Sequence, residues 1–419
     1  MRLIKTAGSV VAALAMLGGL VAPASARTLE VEWRTDADLK AFGQYLEVDE
    51  GTGDAFALLM YADGKEVLRR LDAATGEVEW AVPVPWMTAL VSDPTTGQVV
   101  LSGRRESRQV VMYVSGDGRV VREVVTDVPA VPVAMAVDET TGQVCSLGSK
   151  RKAGQSLITW YTSCWTSAGD AVFSDAEVVG DGRSFPSALG VDPRTHRVYA
   201  AGTSRARKFN DGRVGLVVLR SFSASGALKW QARKKVPTPD GALEIAIDSK
   251  RRLVHVVDQP GLIQSPVSLV TFDRRGKSRP VRRFQDLGSV HDLEIALTTR
   301  GRVLIGDADV TRASVRVYSA RGRLLRKAVV RTERNPRRAY HSQVAIDPVR
   351  ERVHLLGGGG DTPSRVHTYD VHGKRLSRVV VDDRHVIEGE LVVHGPTGRV
   401  FVSTSQFQED GQRVTALRE

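Results

Sequence analysis

Val137-Asp138-Glu139-Thr140-Thr141-Gly142, set between two short apolar stretches, is the segment whose reading decides the fold. Aspartate and threonine bond their own local backbone in turns, and glycine supplies the positive φ that a tight reversal needs. The segment therefore reads as a turn between two strands. The same arrangement recurs along the chain, with a turn residue after an apolar strand at Asp49, Asp93, Asp138, Asp192, Asp248, Thr298, Asp347 and His394. These eight positions are 44 to 56 residues apart.

Each interval contains a second hairpin, such as the one turning at Ala73-Ala74-Thr75-Gly76. Later ones turn at Gly118, Gly169, Gly226, Gly276, Gly322 and Gly373. Four strands in a period of about 40–50 residues is the pattern of a β-propeller blade. Eight first hairpins are visible, but only seven second hairpins are complete. The last repeat ends after the strand Arg413–Leu417 and lacks its fourth. The N-terminal stretch Thr28–Trp33 resembles the fourth strands Glu77–Trp80 and Ala227–Trp230. The expectation is an all-β chain: one eight-bladed propeller of four-stranded antiparallel blades, closed by the N-terminal strand. Seven blades is the alternative. Closure matters because it leaves no blade with an unpaired strand.

Residues 1–26 have the three parts of a secretory signal: Arg2 and Lys5, the apolar Val10–Val21, and the small-residue site Ala24-Ser25-Ala26. Residues 27–419 then form a single exported domain. With 42% hydrophobic and 26% charged residues, neither disorder nor a collagen-like chain is compatible with the composition. No later stretch reaches the roughly 18 apolar residues of a membrane-spanning helix. Removing the signal lowers the formal charge from +11 to +9.

Cys145 and Cys164 lie in two apparent strands separated by a turn-like segment at 150–154. A hairpin about that turn brings them opposite each other, and an exported chain meets an oxidising compartment. A structural disulfide is expected, with a free thiol or a metal pair as the alternatives.

Two family resemblances follow from short motifs. Thr75–Trp80 and Ala224–Trp230 look like the strand-ending Trp motif of quinoprotein-dehydrogenase-like propellers. Arg197–Thr203 and the Ala-Ile-Asp turns resemble secreted bacterial propeller repeats of the SBBP and YVTN types. The first resemblance implies an adjacent cysteine pair beside a quinone. This chain has two isolated cysteines, so no quinone cofactor is expected. His-Glu-x-x-His, Gly-x-Ser-x-Gly and a phosphate loop are absent; Gly357–Gly360 reads as a flexible loop, and Asp307 as part of a turn.

Aligning the first strands gives the candidate site. Four residues before each turn position the series reads Tyr45, Ala89, Ala134, Ala188, Glu244, Glu294, Gln343, Glu390. Two residues earlier it reads Gly43, Met87, Pro132, Pro186, Ala242, Asp292, His341, Glu388. The period-2 alternation of a strand puts both series on one side. Repeats five to eight thus present Glu244, Asp292, Glu294, His341, Gln343, Glu388 and Glu390 as an acidic half-ring near the axial mouth. Carboxylates with one histidine suit a divalent cation, a hydroxyl-rich or amine ligand, or acid–base work. The structural alternative is a hydrated channel lining, or Glu–Arg pairs between blades.

Positive charge concentrates instead at Arg274–Arg283 and Arg321–Arg338, on second hairpins at the outer blade edges. Such a rim suits an anionic envelope polymer, lipid headgroups or nucleic acid, although little aromatic interleaving argues against stacked single-stranded bases. Two function classes follow. The first is an exported, monomeric, non-catalytic module binding a protein, glycan or envelope polymer through loops such as Ser204–Gly215, Gln259–Ser265 and Gly357–Ser364. The second is an extracellular hydrolase or lyase using the axial acids and His341.

Overall fold

The computed structural model describes residues 29–35, 41–61, 63–151, 157–179, 184–205, 215–236, 243–258, 267–284, 292–308, 312–331, 341–359, 362–382, 388–405 and 412–419. The expected signal at 1–26 lies outside the described residues. Thirty-two strands pair into eight antiparallel four-stranded sheets, so the count of blades is eight and not seven. Seven sheets take their strands in chain order. The eighth is ordered Glu30–Arg34, Gln412–Arg418, Arg399–Ser405, Glu388–His394. The N-terminal strand therefore completes the last blade, with Glu30 opposite Arg418 and Arg34 opposite Thr415.

The inner strands of successive blades touch one another all the way round, from Ala41–Val48 to Glu388–His394 and back. Inner, second and third strands are largely buried, because their side chains pack against the next blade. Outer strands such as Val78–Val84 alternate between exposed and half-buried positions. Apolar clusters lie between adjacent blades, as where Leu58 and Leu68 of blade one meet Met87 and Leu101 of blade two.

The tryptophan motif has a mechanical meaning. Trp33, Trp80 and Trp230 each donate the indole N–H, at 2.9 Å, to a carbonyl in the second-hairpin turn of the next blade: Ala73, Gly116 and Arg274. The ring lies over that turn's glycine, which holds positive φ (Gly118 at 81°). Where the tryptophan is missing, another side chain takes its place. Arg122 donates to the Ala168 carbonyl, Phe173 covers Gly226, and Arg282 donates to the Gly322 carbonyl.

Cys145 and Cys164 are directly opposite in the hairpin of strands Val144–Arg151 and Ile158–Trp165, and they form a disulfide with Cα atoms 4.1 Å apart. Two local expectations are corrected. Gly357, Gly358 and Gly359 belong to the strand Arg352–Gly359, where Gly357 pairs with Ser342 and Arg365, not to a loop. Asp307 sits inside the strand Val303–Ala308, buried against the Arg316 guanidinium at 2.6 Å.

Candidate functional site

Each inner strand is the axial edge of its sheet, so its outward N–H groups have no neighbouring strand to bond. The acidic residues supply that missing acceptor. Asp292 Oδ2 accepts the Val344 N–H at 2.7 Å, and Glu294 Oε2 accepts the Ile346 N–H at 3.1 Å, both across the boundary from blade six to blade seven. Glu390 Oε2 accepts the Leu46 N–H at 2.5 Å, bridging blade eight to blade one. In every case the carboxylate on one blade holds the inner strand of the next. A polar partner of each of these three carboxylates is thus a backbone amide of the next blade.

Of the other candidates, Glu244 is 7% exposed at the equivalent place in blade five. Gln343 is half-buried on the inner strand of blade seven. His341 and Glu388 begin their inner strands, with backbones paired to Gly358 and Ser405, but their side chains lie outside the described residues. The loops 206–214, 259–266 and 360–361 also lie outside them.

Sequence reading missed Glu66, which is on the third strand of blade one. It is buried, and its Oε2 accepts the Met87 N–H at 2.6 Å where blade two begins. Burial pushes its pKa up to about 7. Glu66 and Glu390 both act on Tyr45, whose phenol is driven up first by burial and then by these two carboxylates. No inner-strand pattern could reveal Glu66, because the residue reaches the blade boundary from a different strand.

The apolar half differs in backbone as well as side chains. Inner strands of blades one to four each carry a β-bulge, between Gly43 and Tyr45, Met87 and Ala89, Pro132 and Ala134, and Pro186 and Ala188. Among the described residues, the inner strands of blades five to eight have none. A bulge sets two residues against one, so strict period-2 alternation fails in this half. In three of the four bulged blades a glycine stands opposite. A Cβ at Gly103, Gly148 or Gly202 would collide with the Trp86, Val131 or Phe185 carbonyl oxygen.

The opposite mouth is built by the turns. Asp49, Asp93, Asp138, Asp192, Asp248 and Asp347 are all buried, and each accepts a backbone N–H two or three residues on. His196 Nδ1 meets Asp138 Oδ2 at 2.6 Å, and His394 Nε2 meets the Glu50 carbonyl at 3.2 Å, so turns interlock between blades. Beside them Glu50 is pushed up to about 8, by burial first and then by Glu139; burial and Asp138 push Glu139 up to about 7. Glu50 of blade one thus senses the charge of Glu139 from blade three. Both are half-buried, as groups lining an axial opening would be. Among the described residues no group of three or more His, Cys, Asp or Glu side chains is arranged to hold a metal.

No known family profile matches the chain, and no curated protein is similar to it in sequence. Solved structures match in large number, 809 chains, as expected of a fold that hosts many functions. One is a propeller described as the structure of Dos1 propeller. It is 11% identical, with a TM-score of 0.58 over 93% of this chain and 95% of that one. A likeness at that identity establishes the architecture. The chain is an eight-bladed β-propeller. No helix among the described residues is long and apolar enough to cross a membrane.

Proposed function

We infer that this propeller is an exported, non-catalytic interaction module, acting as a monomer on a protein, a glycan or an anionic envelope polymer. The observation that carries the reading is the engagement of Asp292, Glu294, Glu390 and Glu66 with the backbone of the next blade. A carboxylate fixed to an edge amide is held in the role of an acceptor, which suits holding a ring together better than moving protons. Export fits the Cys145–Cys164 disulfide and the signal-like residues 1–26. The likeness of Arg197–Thr203 to SBBP and YVTN repeats belongs to the same proposal. Within it, Glu244, Asp292, Glu294, His341, Gln343, Glu388 and Glu390 remain the candidate ligand-lining residues. A divalent cation is the one ion they would suit, and no quinone is part of the account. The test is affinity capture from the producing cell's extracellular fraction, together with a glycan array. A reproducible partner supports the module; turnover of a glycan or peptide substrate that is lost in Glu294→Gln would replace it with the hydrolase or lyase reading.

A further inference from the structure

The outer strands divide the circumference electrically. On blades eight, one, two and three they contain six acidic and two basic residues. On blades four to seven they contain eleven Lys or Arg and a single acidic residue, the buried Asp382. The two sets are contiguous, so one half of the rim is strongly basic. The acidic half is largely neutralised within the molecule: Glu32 pairs with Arg399, Glu79 with Arg70, Glu123 with Arg105 and Asp175 with Arg220. The basic half keeps exposed cations. Arg233, Lys235, Arg283, Arg326, Arg375 and Arg378 are exposed, and none is ion-paired to a carboxylate among the described residues.

We propose that this half-circumference binds a flexible anionic polysaccharide, wrapped along the outer strands of blades four to seven. The proposal deepens the interaction-module reading by naming a partner class, and it uses the rim, not the axial mouth. Geometry selects the polymer. Four consecutive blades of eight span half a turn, and a flat bilayer touches a convex edge at only one or two of them. Duplex DNA, with a persistence length of about 50 nm, is too stiff to follow that curve. Stacking on unpaired bases needs free aromatic rings. The two on these strands are engaged internally: Trp230 over the Gly276 turn, and Phe284 beneath the Arg316 guanidinium, whose carbon is 3.9 Å from the ring centroid. Exposed Leu325, Val329 and Val380 lie on the same outer strands as the cations and offer apolar contact to sugar rings.

The test measures binding of the whole secreted chain to heparin across a salt series. It compares wild type with two charge-reversed variants of equal net charge. The rim variant carries Arg283→Glu, Arg326→Glu, Arg375→Glu and Arg378→Glu. The control carries Lys65→Glu, Arg108→Glu, Arg119→Glu and Arg151→Glu, which lie on blades one to three. Far-UV circular dichroism and melting establish that both fold; Arg233→Glu with Lys235→Glu on blade four is the substitute if the rim variant does not. The rim variant is expected to lose at least about tenfold in affinity, with a log–log salt slope shallower by roughly 3. The control is expected to stay within about threefold of wild type. Equal losses in both variants, or tighter wild-type binding to anionic vesicles or duplex DNA at matched salt, would overturn the proposal. The interaction-module reading fails separately, if capture and glycan array return no partner at all.

Discussion

The Glu294 carboxylate accepts the Ile346 N–H at 3.1 Å across the boundary between two blades. The amide belongs to an axial edge strand and has no strand partner on that side. Asp292 with Val344 and Glu390 with Leu46 repeat the arrangement, so the ring is tied at backbone level as well as by apolar packing.

Glu390→Ala removes an acceptor and leaves the Leu46 amide unsatisfied, which costs about 1–3 kcal/mol. Glu294→Gln keeps an acceptor oxygen and should cost clearly less. Urea unfolding of both variants beside wild type checks the order; equal losses would show that charge, not acceptance, matters at this boundary.

Reducing or replacing the Cys145–Cys164 bridge should lower stability by roughly 3 kcal/mol on the chain-entropy account of a loop of this size. Its 19-residue separation closes one hairpin within blade three. The readout is the urea midpoint of Cys145→Ser with Cys164→Ser against the oxidised protein.

Gly118 combines a φ of 81° with an indole that would lie 2.6 Å from an added Cβ. Gly118→Ala should therefore destabilise by more than about 1 kcal/mol, because αL strain and a clash with Trp80 add. Tryptophan fluorescence during thermal unfolding reports it. In the Trp80→Ala background the alanine at 118 should cost less, since the clash is gone.

Stability should bend with pH from two opposed causes. Buried His255 and His354 are driven from 6.5 down to about 4 and about 3 by desolvation. The unfolded chain protonates these imidazoles first, so stability falls as pH drops from about 6.5 towards 4. Glu50, Glu66 and Glu139 are raised from 4.5 to about 8, 7 and 7. Their contribution is complete below 4.5 and is lost as pH rises towards 8. A stability maximum on the acidic side of neutrality is expected, and Glu50→Gln should raise Tm at pH 8 and flatten the alkaline limb. An alkaline limb identical to wild type would remove Glu50 from this account.

The repeat was legible because its signals are local: an aspartate bonding its own turn, a glycine at positive φ, a tryptophan ending a strand. The N-terminal closing strand was legible for the same reason. The half-ring was legible as a list of residues but not as a set of contacts, since the Ile346 amide reaches Glu294 only through the rotation between two blades. Bulges at Gln44, Thr88, Val133 and Ser187 broke the assumed alternation. Their one sequence trace was the glycine opposite, at 103, 148 and 202. Glu66 escaped because it lies on a third strand, and Glu50 and Glu139 because their turns were read for the aspartates beside them.

Inner-strand carboxylates secure axial edge amides of the next blade. Hydrogen–deuterium exchange at Leu46, Val344 and Ile346 tests it most directly, comparing wild type with Glu390→Ala, Asp292→Ala and Glu294→Ala. Each variant should speed exchange at its own partner amide by at least about tenfold while the paired strand amides keep their protection. Exchange at these three amides that is the same in wild type and variants would contradict it.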